Sequence, residues 1–333
     1  MLRTACDLSV IGAGSYGTSL AVSAAKKGLR VILWDRNPQR AQHMQCKREN
    51  LKYLPGIIFP DTLEVVSSLE TAVRSSLRLL VVVPSKTFRE VVSALSAFVS
   101  PNHSLAWATK GLSSDGRFLS EVAKEILPYK LPLAVLSGPT FAKELASGMP
   151  TAISVAGIPS SFAAEICELM HTDTFRLYES KDLIGLQIGG AVKNVIAIAA
   201  GMSDGLGYGA NARTAVITRG LAEMVRFGLA CGAQERSFMG LSGLGDLILT
   251  CTDDQSRNRR FGVMLGRGKT SDEALNSIGQ VVEGYGMVNV IKNLSSKLGI
   301  EMPICSELYE ILYKGKNGCD AARALLTREL KAE

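Results

Sequence analysis

Apolar and polar positions fall into two regimes along this chain. Up to about residue 180, short apolar runs alternate with stretches of helical spacing. Leu8 to Ile11 reads as a short strand that enters a glycine loop and then a helix from about Ser15 to Lys27, with Gly28 at its left-handed end. Arg30 to Trp34 is the next strand, which completes a β-α-β unit of about thirty residues. Leu77 to Val83 (LRLLVVV) is almost wholly apolar, as a parallel strand covered on both faces must be. Pro84 breaks it, and Thr87 to Phe98 has helical spacing. Leu105 to Ala108 and Leu133 to Leu136 predict further strands, with Thr151 to Val155 and Thr174 to Tyr178 at the far edge of the sheet. Beyond Ser180 the pattern turns helical, over Leu183 to Met202, Asn211 to Cys231 and Asp272 to Ser277. The expected fold is α/β, an N-terminal Rossmann-like, doubly wound parallel sheet over residues 1–185, followed by a mostly α-helical domain over 186–333. Ligands of such a sheet bind beside the carboxyl ends of its strands, which here places the expected active site between the domains.

Composition narrows the function classes. A chain of 333 residues suits two domains rather than one core. The net charge of +6 is not gathered into a tail or stripe; its longest cluster is Arg257 with Arg259 and Arg260. That distribution argues against nucleic acid as a partner and suits anionic small molecules. Seven cysteines are scattered without a CxxC pair, and His43, His103 and His171 have no metal-ligand spacing, so a reduced cytoplasmic protein without a metal site is expected. The apolar run from Leu8 to Ala25 is broken by glycines and lacks an export-signal pattern, and no segment reads as long enough to cross a bilayer.

The first chemical signal is Gly12-Ala13-Gly14-Ser15-Tyr16-Gly17. A GxGxxG motif is weak alone, but here it follows a strand, opens a helix and precedes a second strand ending in Asp35. Gly12 allows the tight turn, Gly14 lets backbone approach a pyrophosphate, and Gly17 lets helix and strand pack closely. The helix N-terminus supplies unpaired N–H groups and positive dipole. Asp35 would accept from a ribose 2′-hydroxyl and favour NAD(H); Arg36 would pair with a 2′-phosphate and favour NADP(H). The pair leans to NADP(H) and leaves NAD(H) open.

A dehydrogenase also needs a proton donor and acceptor. Lys193 in GGAVKN sits in an otherwise largely apolar helical stretch, and burial there would lower a lysine pKa towards neutrality. Gly189, Gly190 and Ala197 share its helical face and could admit a ligand; a surface lysine with a buried stem is the competing reading. Thr109-Lys110-Gly111 and Ser137-Gly138-Pro139-Thr140 each follow a strand, where Lys110 could polarise a carbonyl, Gly138 admit a ligand, and Thr140 cap the next helix while bonding it. GLSGLGD, Gly240 to Asp246, is a glycine-rich turn ending in an acid. Ser256-Arg257-Asn258 at a helix start makes an anion site, unless it is merely an exposed basic helix end.

Several segments together then resemble one family. GAGSYGT at 12–18, RENLKYLPG at 48–56, TKGL at 109–112, SGPTFAKE at 137–144, GGAVKN at 189–194, GLGDLILTCT at 243–252 and SRNRRFG at 256–262 are similar to the bacterial-type soluble glycerol-3-phosphate dehydrogenase [NAD(P)+] family, over almost the whole chain. The resemblance implies NAD(P)H-dependent reduction of dihydroxyacetone phosphate to sn-glycerol 3-phosphate, a feed for glycerophospholipid synthesis. It implies Lys193 as acid-base group with Asp246 orienting it, and Lys110 touching both substrate and nicotinamide. Gly138, Thr140, Ser256, Arg257 and Asn258 become substrate contacts. Ser15, Tyr16, Arg36, Ala142, Arg257, Val281 and Glu283 become cofactor contacts, with Asn194 and Thr250 nearby. It also implies a homodimer. A β-hydroxyacid or 6-phosphogluconate type dehydrogenase would not be expected to carry SGPTFA and SRNRRFG in this arrangement. A catalytically silent NAD(P) sensor would not need Lys193, Lys110, Asp246 and Arg257 together.

Overall fold

The computed structural model describes residues 6–327. The chain divides into two compact units: one runs through Ser113 and from Arg117 to Leu186, and the other takes Ser114–Gly116 and the chain from Gln187 onward.

The first unit holds β1 (Leu8–Ile11), β2 (Val31–Trp34), β3 (Glu49–Asn50), β4 (Leu54–Ile58), β5 (Leu63–Val66), β6 (Arg78–Val81), β7 (Ser104–Trp107), β8 (Leu133–Ser137), β9 (Thr151–Ile158) and β10 (Phe175–Ser180). Eight of these form one sheet in the order β10-β9-β8-β7-β6-β1-β2-β5, while β3 and β4 make a separate antiparallel ribbon. Successive side chains enter opposite cores: Val10, Leu33 and Leu80 pack on one face, Ile11, Ile32, Leu79 and Val81 on the other. Burial on both faces is why the β6 region has no polar alternation.

The sheet is not wholly parallel, which corrects the sequence expectation: β8 and β9 run antiparallel. The helix between them, Ala142–Ser147, has only 6 residues. It advances about 9 Å, too little to carry the chain back along β8, so β9 starts at the end where β8 stops. Strand β5 and the ribbon also escaped the periodicity reading. Both are short, and the buried-exposed alternation of β5 (LEVV) spans only 4 residues.

The chain moves from β1 out to β2 and β5 and then returns to place β6 on the other side of β1. The strand order therefore reverses between β1 and β6, where an open sheet of this kind leaves its ligand crevice.

The second unit is helical. Its central helix, which begins at Leu183 in the first unit and runs to Gly205, has an 18-residue window of mean hydropathy 1.6, so among the described residues one helix is long and apolar enough to cross a membrane, contrary to the sequence expectation. Its most apolar window is 83% buried inside the fold. A helix enclosed by others must be apolar all round, which produces the same signal. Backbone-to-backbone contact with the helix Arg257–Gly266 accounts for one glycine on each of the two helices. A Cβ at Gly201 would lie 2.0 Å from the Arg259 carbonyl oxygen, and one at Gly262 2.0 Å from that of Ile198.

Glu223, on the helix Gly209–Ala230, is 3% exposed and accepts N–H bonds from Ile304 at 2.6 Å and Cys305 at 3.3 Å, the first turn of the helix Pro303–Lys314. Burial outweighs those bonds and pushes its pKa up from 4.5 to about 7. The folded state thus holds this proton more tightly than the unfolded chain. The resulting stabilisation is complete below pH 4.5 and lost as pH rises through about 7. Relative to Glu223→Gln, the wild type should lose about 3 kcal/mol of unfolding free energy between pH 4.5 and 8, measured by urea unfolding; a difference independent of pH would contradict this.

Candidate functional site

The glycine loop lies at the reversal of strand order. Gly12 adopts φ +124°, and a Cβ there would lie 2.3 Å from the carbonyl oxygen of Val82, just beyond β6. A Cβ at Gly17 would lie 1.9 Å from the Gly12 carbonyl oxygen. These two glycines therefore bring loop, helix and sheet into contact. Gly14 differs, since a Cβ there meets nothing within 4 Å. It stands at the N-cap of the helix Ser15–Lys26 without a side-chain cap. Open space in front of an uncapped helix start suits a pyrophosphate, which can accept from the first N–H groups. The residues present thus fit a dinucleotide.

The ribbon secures this loop. Asn50 is fully buried, and its Nδ2 donates to the Ala13 carbonyl at 3.0 Å and to Thr18 Oγ1 at 2.8 Å. That gives the RENLKYLPG segment a physical role the sequence did not show.

At the end of β2, Asp35 is 2% exposed. Its Oδ1 accepts from the Asn37 N–H at 2.8 Å and from Arg40 Nη2 at 2.5 Å, and its Oδ2 accepts from Arg40 Nε at 2.6 Å. Arg36 is exposed. Sequence reasoning weighed only Asp35 and Arg36; Arg40 reaches Asp35 because Asn37 caps the helix Pro38–Lys47 and fixes its first turn.

Lys110 follows β7. Its Nζ donates to the Gly138 carbonyl at 3.0 Å and stands 5.6 Å from the centre of the Tyr16 ring. A Cβ on Gly138 would come within 2.8 Å of the Ile153 backbone, so this glycine permits close packing of the loop on β9. Thr140 does not cap the following helix, contrary to expectation: its hydroxyl donates to the Gly138 carbonyl at 3.2 Å. The first unit therefore gathers the glycine loop, Tyr16, Lys110, Gly138 and Thr140, with Ala142 opening the next helix.

The second unit gathers another set. Lys193 is 5% exposed and Asp246 is 1% exposed. Lys193 Nζ donates to Asp246 Oδ1 at 2.5 Å and to Thr250 Oγ1 at 2.9 Å. The Thr250 hydroxyl in turn donates to the Asp246 carbonyl at 2.6 Å. A carboxylate in contact supplies the counter-charge that a buried ammonium needs there. Lys193 is thus not a surface lysine with its head in water.

The GLSGLGD segment is a π-helical turn, Leu241–Gly245, that leads into the helix Asp246–Thr252, and not a simple loop. Gly189 packs against this turn: a Cβ there would lie 2.2 Å from the Ser242 carbonyl oxygen. This corrects the expectation that Gly189 admits a ligand; it lets the π-turn approach Lys193's helix.

Ser256 caps the helix Arg257–Gly266, accepting from the Arg259 N–H at 3.2 Å. Asn258 donates to Asn194 Oδ1 at 2.8 Å and accepts from the Gly284 N–H at 2.9 Å, while Asn194 donates to the Gly190 carbonyl at 3.1 Å. The two asparagines join three helices, a positioning task the sequence did not reveal. Arg257 is half-buried, and that burial lowers its pKa below the usual arginine value while Glu283, at the start of the helix Glu283–Lys297, opposes the shift. Val281 is 40% exposed just before that helix.

A dinucleotide cradle and a buried lysine-carboxylate pair suit a nicotinamide-dependent oxidoreductase, and the comparisons agree. Family models described as NAD-dependent glycerol-3-phosphate dehydrogenase N-terminus and C-terminus match residues 7–173 and 182–323. The chain is 56% identical to a glycerol-3-phosphate dehydrogenase [NAD(P)+] from Tolumonas auensis, over 100% of both chains. It is similar to the crystal structure of glycerol-3-phosphate dehydrogenase from Coxiella burnetii, with a TM-score of 0.94, 42% identity, and coverage of 97% of this chain and 99% of that one. For the Saccharomyces cerevisiae enzyme of that name the TM-score is 0.83 at 26% identity, covering 95% and 98%. The chain belongs to the NAD-dependent glycerol-3-phosphate dehydrogenase family and is an NAD(P)-dependent oxidoreductase.

Proposed function

We propose that the protein catalyses the reversible NAD(P)H-dependent reduction of dihydroxyacetone phosphate to sn-glycerol 3-phosphate, which supplies glycerophospholipid synthesis. The observation that carries this reading is the buried Lys193–Asp246 pair, in the same unit as the capped, arginine-bearing helix start at Ser256–Asn258. The first is proton-transfer equipment and the second is suited to a phosphate.

The backbone of Gly12, Gly14, Ser15, Tyr16 and Gly17 holds the pyrophosphate, and Arg36 takes the 2′-phosphate where there is one. Ala142, Val281 and Glu283 complete the cofactor contacts. When bound, the nicotinamide supplies the hydride that reduces the C2 carbonyl. Lys193 Nζ gives its proton to the carbonyl oxygen as negative charge grows there, and takes it back in the oxidation direction. Asp246, with Thr250, fixes Nζ in place, and so acts as a positioning residue. Lys110 adds positive charge near the reacting oxygen. Arg257 forks onto the substrate phosphate, joined by the Ser256 and Asn258 side chains and the N–H groups they flank. Gly138 and Thr140 shape the remaining contacts. Holding the remote phosphate converts binding energy into alignment of the reacting carbon. Within this reading the working form is a homodimer in the cytoplasm.

Purified protein should oxidise NADPH when given dihydroxyacetone phosphate, followed by absorbance; turnover of a hydroxyacid in place of this substrate would remove the assignment. Lys193→Ala should lower kcat by about 10²–10⁴-fold in a protein that unfolds cooperatively, and retained turnover would deny Lys193 its proton-transfer role. Asp246→Asn should shift the pH profile of kcat/KM. A purely structural Asp246 would instead lower stability and leave that profile in place.

A further inference from the structure

An acid at the end of the second strand of a dinucleotide fold ordinarily accepts from a ribose diol and repels a 2′-phosphate. Asp35 occupies that place here, directly after Trp34 of β2. Its surroundings differ from those of a diol acceptor. Arg40 grips both carboxylate oxygens, through Nη2 at 2.5 Å and Nε at 2.6 Å, and the Asn37 N–H adds a third bond at 2.8 Å. The carboxylate is turned inward with 1% of its side chain exposed, whereas 27% of the Arg40 side chain remains exposed. Towards solvent this strand end therefore presents cationic side chains, Arg40 and Arg36, and hides the anionic one.

Arg40 is also tied to the glycine loop. Its guanidinium carbon sits 5.4 Å from the centre of the Tyr53 ring. The Tyr53 N–H donates to Asn50 Oδ1 at 3.2 Å, and Asn50 holds the Ala13 carbonyl. Three short contacts thus connect Arg40 to the loop that receives the pyrophosphate. A planar guanidinium held on one edge by a carboxylate and on one face by a ring is pre-organised, with little rotamer freedom left to lose on binding an anion.

We propose that Arg40 is a cofactor-specificity residue: by closing over Asp35 it withdraws the carboxylate that would select the unphosphorylated ribose, and offers its own charge to an adenosine 2′-phosphate. This rests on the dinucleotide reading of the glycine loop. A phosphate monoester carries about −2 charge at neutral pH, so an unscreened Asp35 would oppose it and a screened one would not. Arg36 contributes charge beside it, but whether Asp35 opposes or tolerates the phosphate is decided by Arg40.

The test uses ligands that lack the nicotinamide, so that binding is read without turnover. Calorimetric titration of the full chain with adenosine 2′,5′-bisphosphate and with adenosine 5′-monophosphate gives an affinity ratio. The wild type should favour the bisphosphate, and less so as salt rises. Arg40→Gln should lower that ratio at least tenfold, with the monophosphate bound as well as or better than before. Asp35→Asn added to Arg40→Gln should recover part of the loss, because the exposed carboxylate is gone. Arg40→Lys, which keeps the charge and loses the fork, should lower the ratio less, and it carries the test if the glutamine variant does not fold. Equal weakening of both ligands, or no recovery in the double variant, would reduce Arg40 to a structural partner of Asp35 and overturn the proposal. Wild-type protein that binds neither ligand nor either whole cofactor would defeat the dinucleotide reading itself, a different outcome.

Discussion

An ammonium group removed from water must be compensated where it stands, because each buried ion loses hydration worth several kcal/mol. Lys193 meets that demand through Asp246 and Thr250, and much of the second unit is arranged to make the meeting possible. The helix Leu183–Gly205 carries the lysine through a core it fills on all sides. The π-turn Leu241–Gly245 delivers Asp246 at the start of the next helix, and Gly189 is bare so that this turn can come up against the lysine's helix. A side chain at Gly189 would drive the turn outward and separate the pair. The same economy of space recurs at Gly201 and Gly262, where backbones touch and the helix bearing Ser256, Arg257 and Asn258 is held in place.

The first unit depends on a comparable closeness. Gly12 and Gly17 remove the side chains that would keep β1, β6 and the first helix apart. What remains is an uncapped helix N-terminus beside open space at Gly14, with Asn50 fastening the loop from the ribbon side. In both units the reactive or binding group is held by contacts that tolerate almost no added volume. Its placement is thus a property of packing, since close-packed interiors deform little.

Much of this was legible in the sequence, for identifiable reasons. LRLLVVV predicted a doubly covered strand because a strand with two buried faces leaves no position for a polar side chain. The GxGxxG motif between two strands was readable because close backbone approach excludes a side chain at Gly12 and at Gly17, a fixed spacing apart. Lys193 stood out as a charge amid apolar neighbours. Periodicity could not report what depends on distant partners. The antiparallel β9 follows from the shortness of the helix before it, β5 is an edge strand too short to show a period, and the membrane-length helix became explicable only when its neighbours were seen around it.

The sequence by itself determined the main strands and helices apart from β5 and the ribbon, the glycine loop and the identity of the charged groups, because these follow from local sterics and from residue chemistry. Tertiary structure alone decided which charges stand bare. It turned Asp35 inward under Arg40, gave Lys193 its carboxylate from a segment more than fifty residues away in number, and assigned Asn50 and Asn258 to hold backbone groups of other elements. Whether a side chain's hydrogen bonds and charge are satisfied within the fold or left for a ligand depends on what packs against it, and the spacing of letters along a chain carries no record of that.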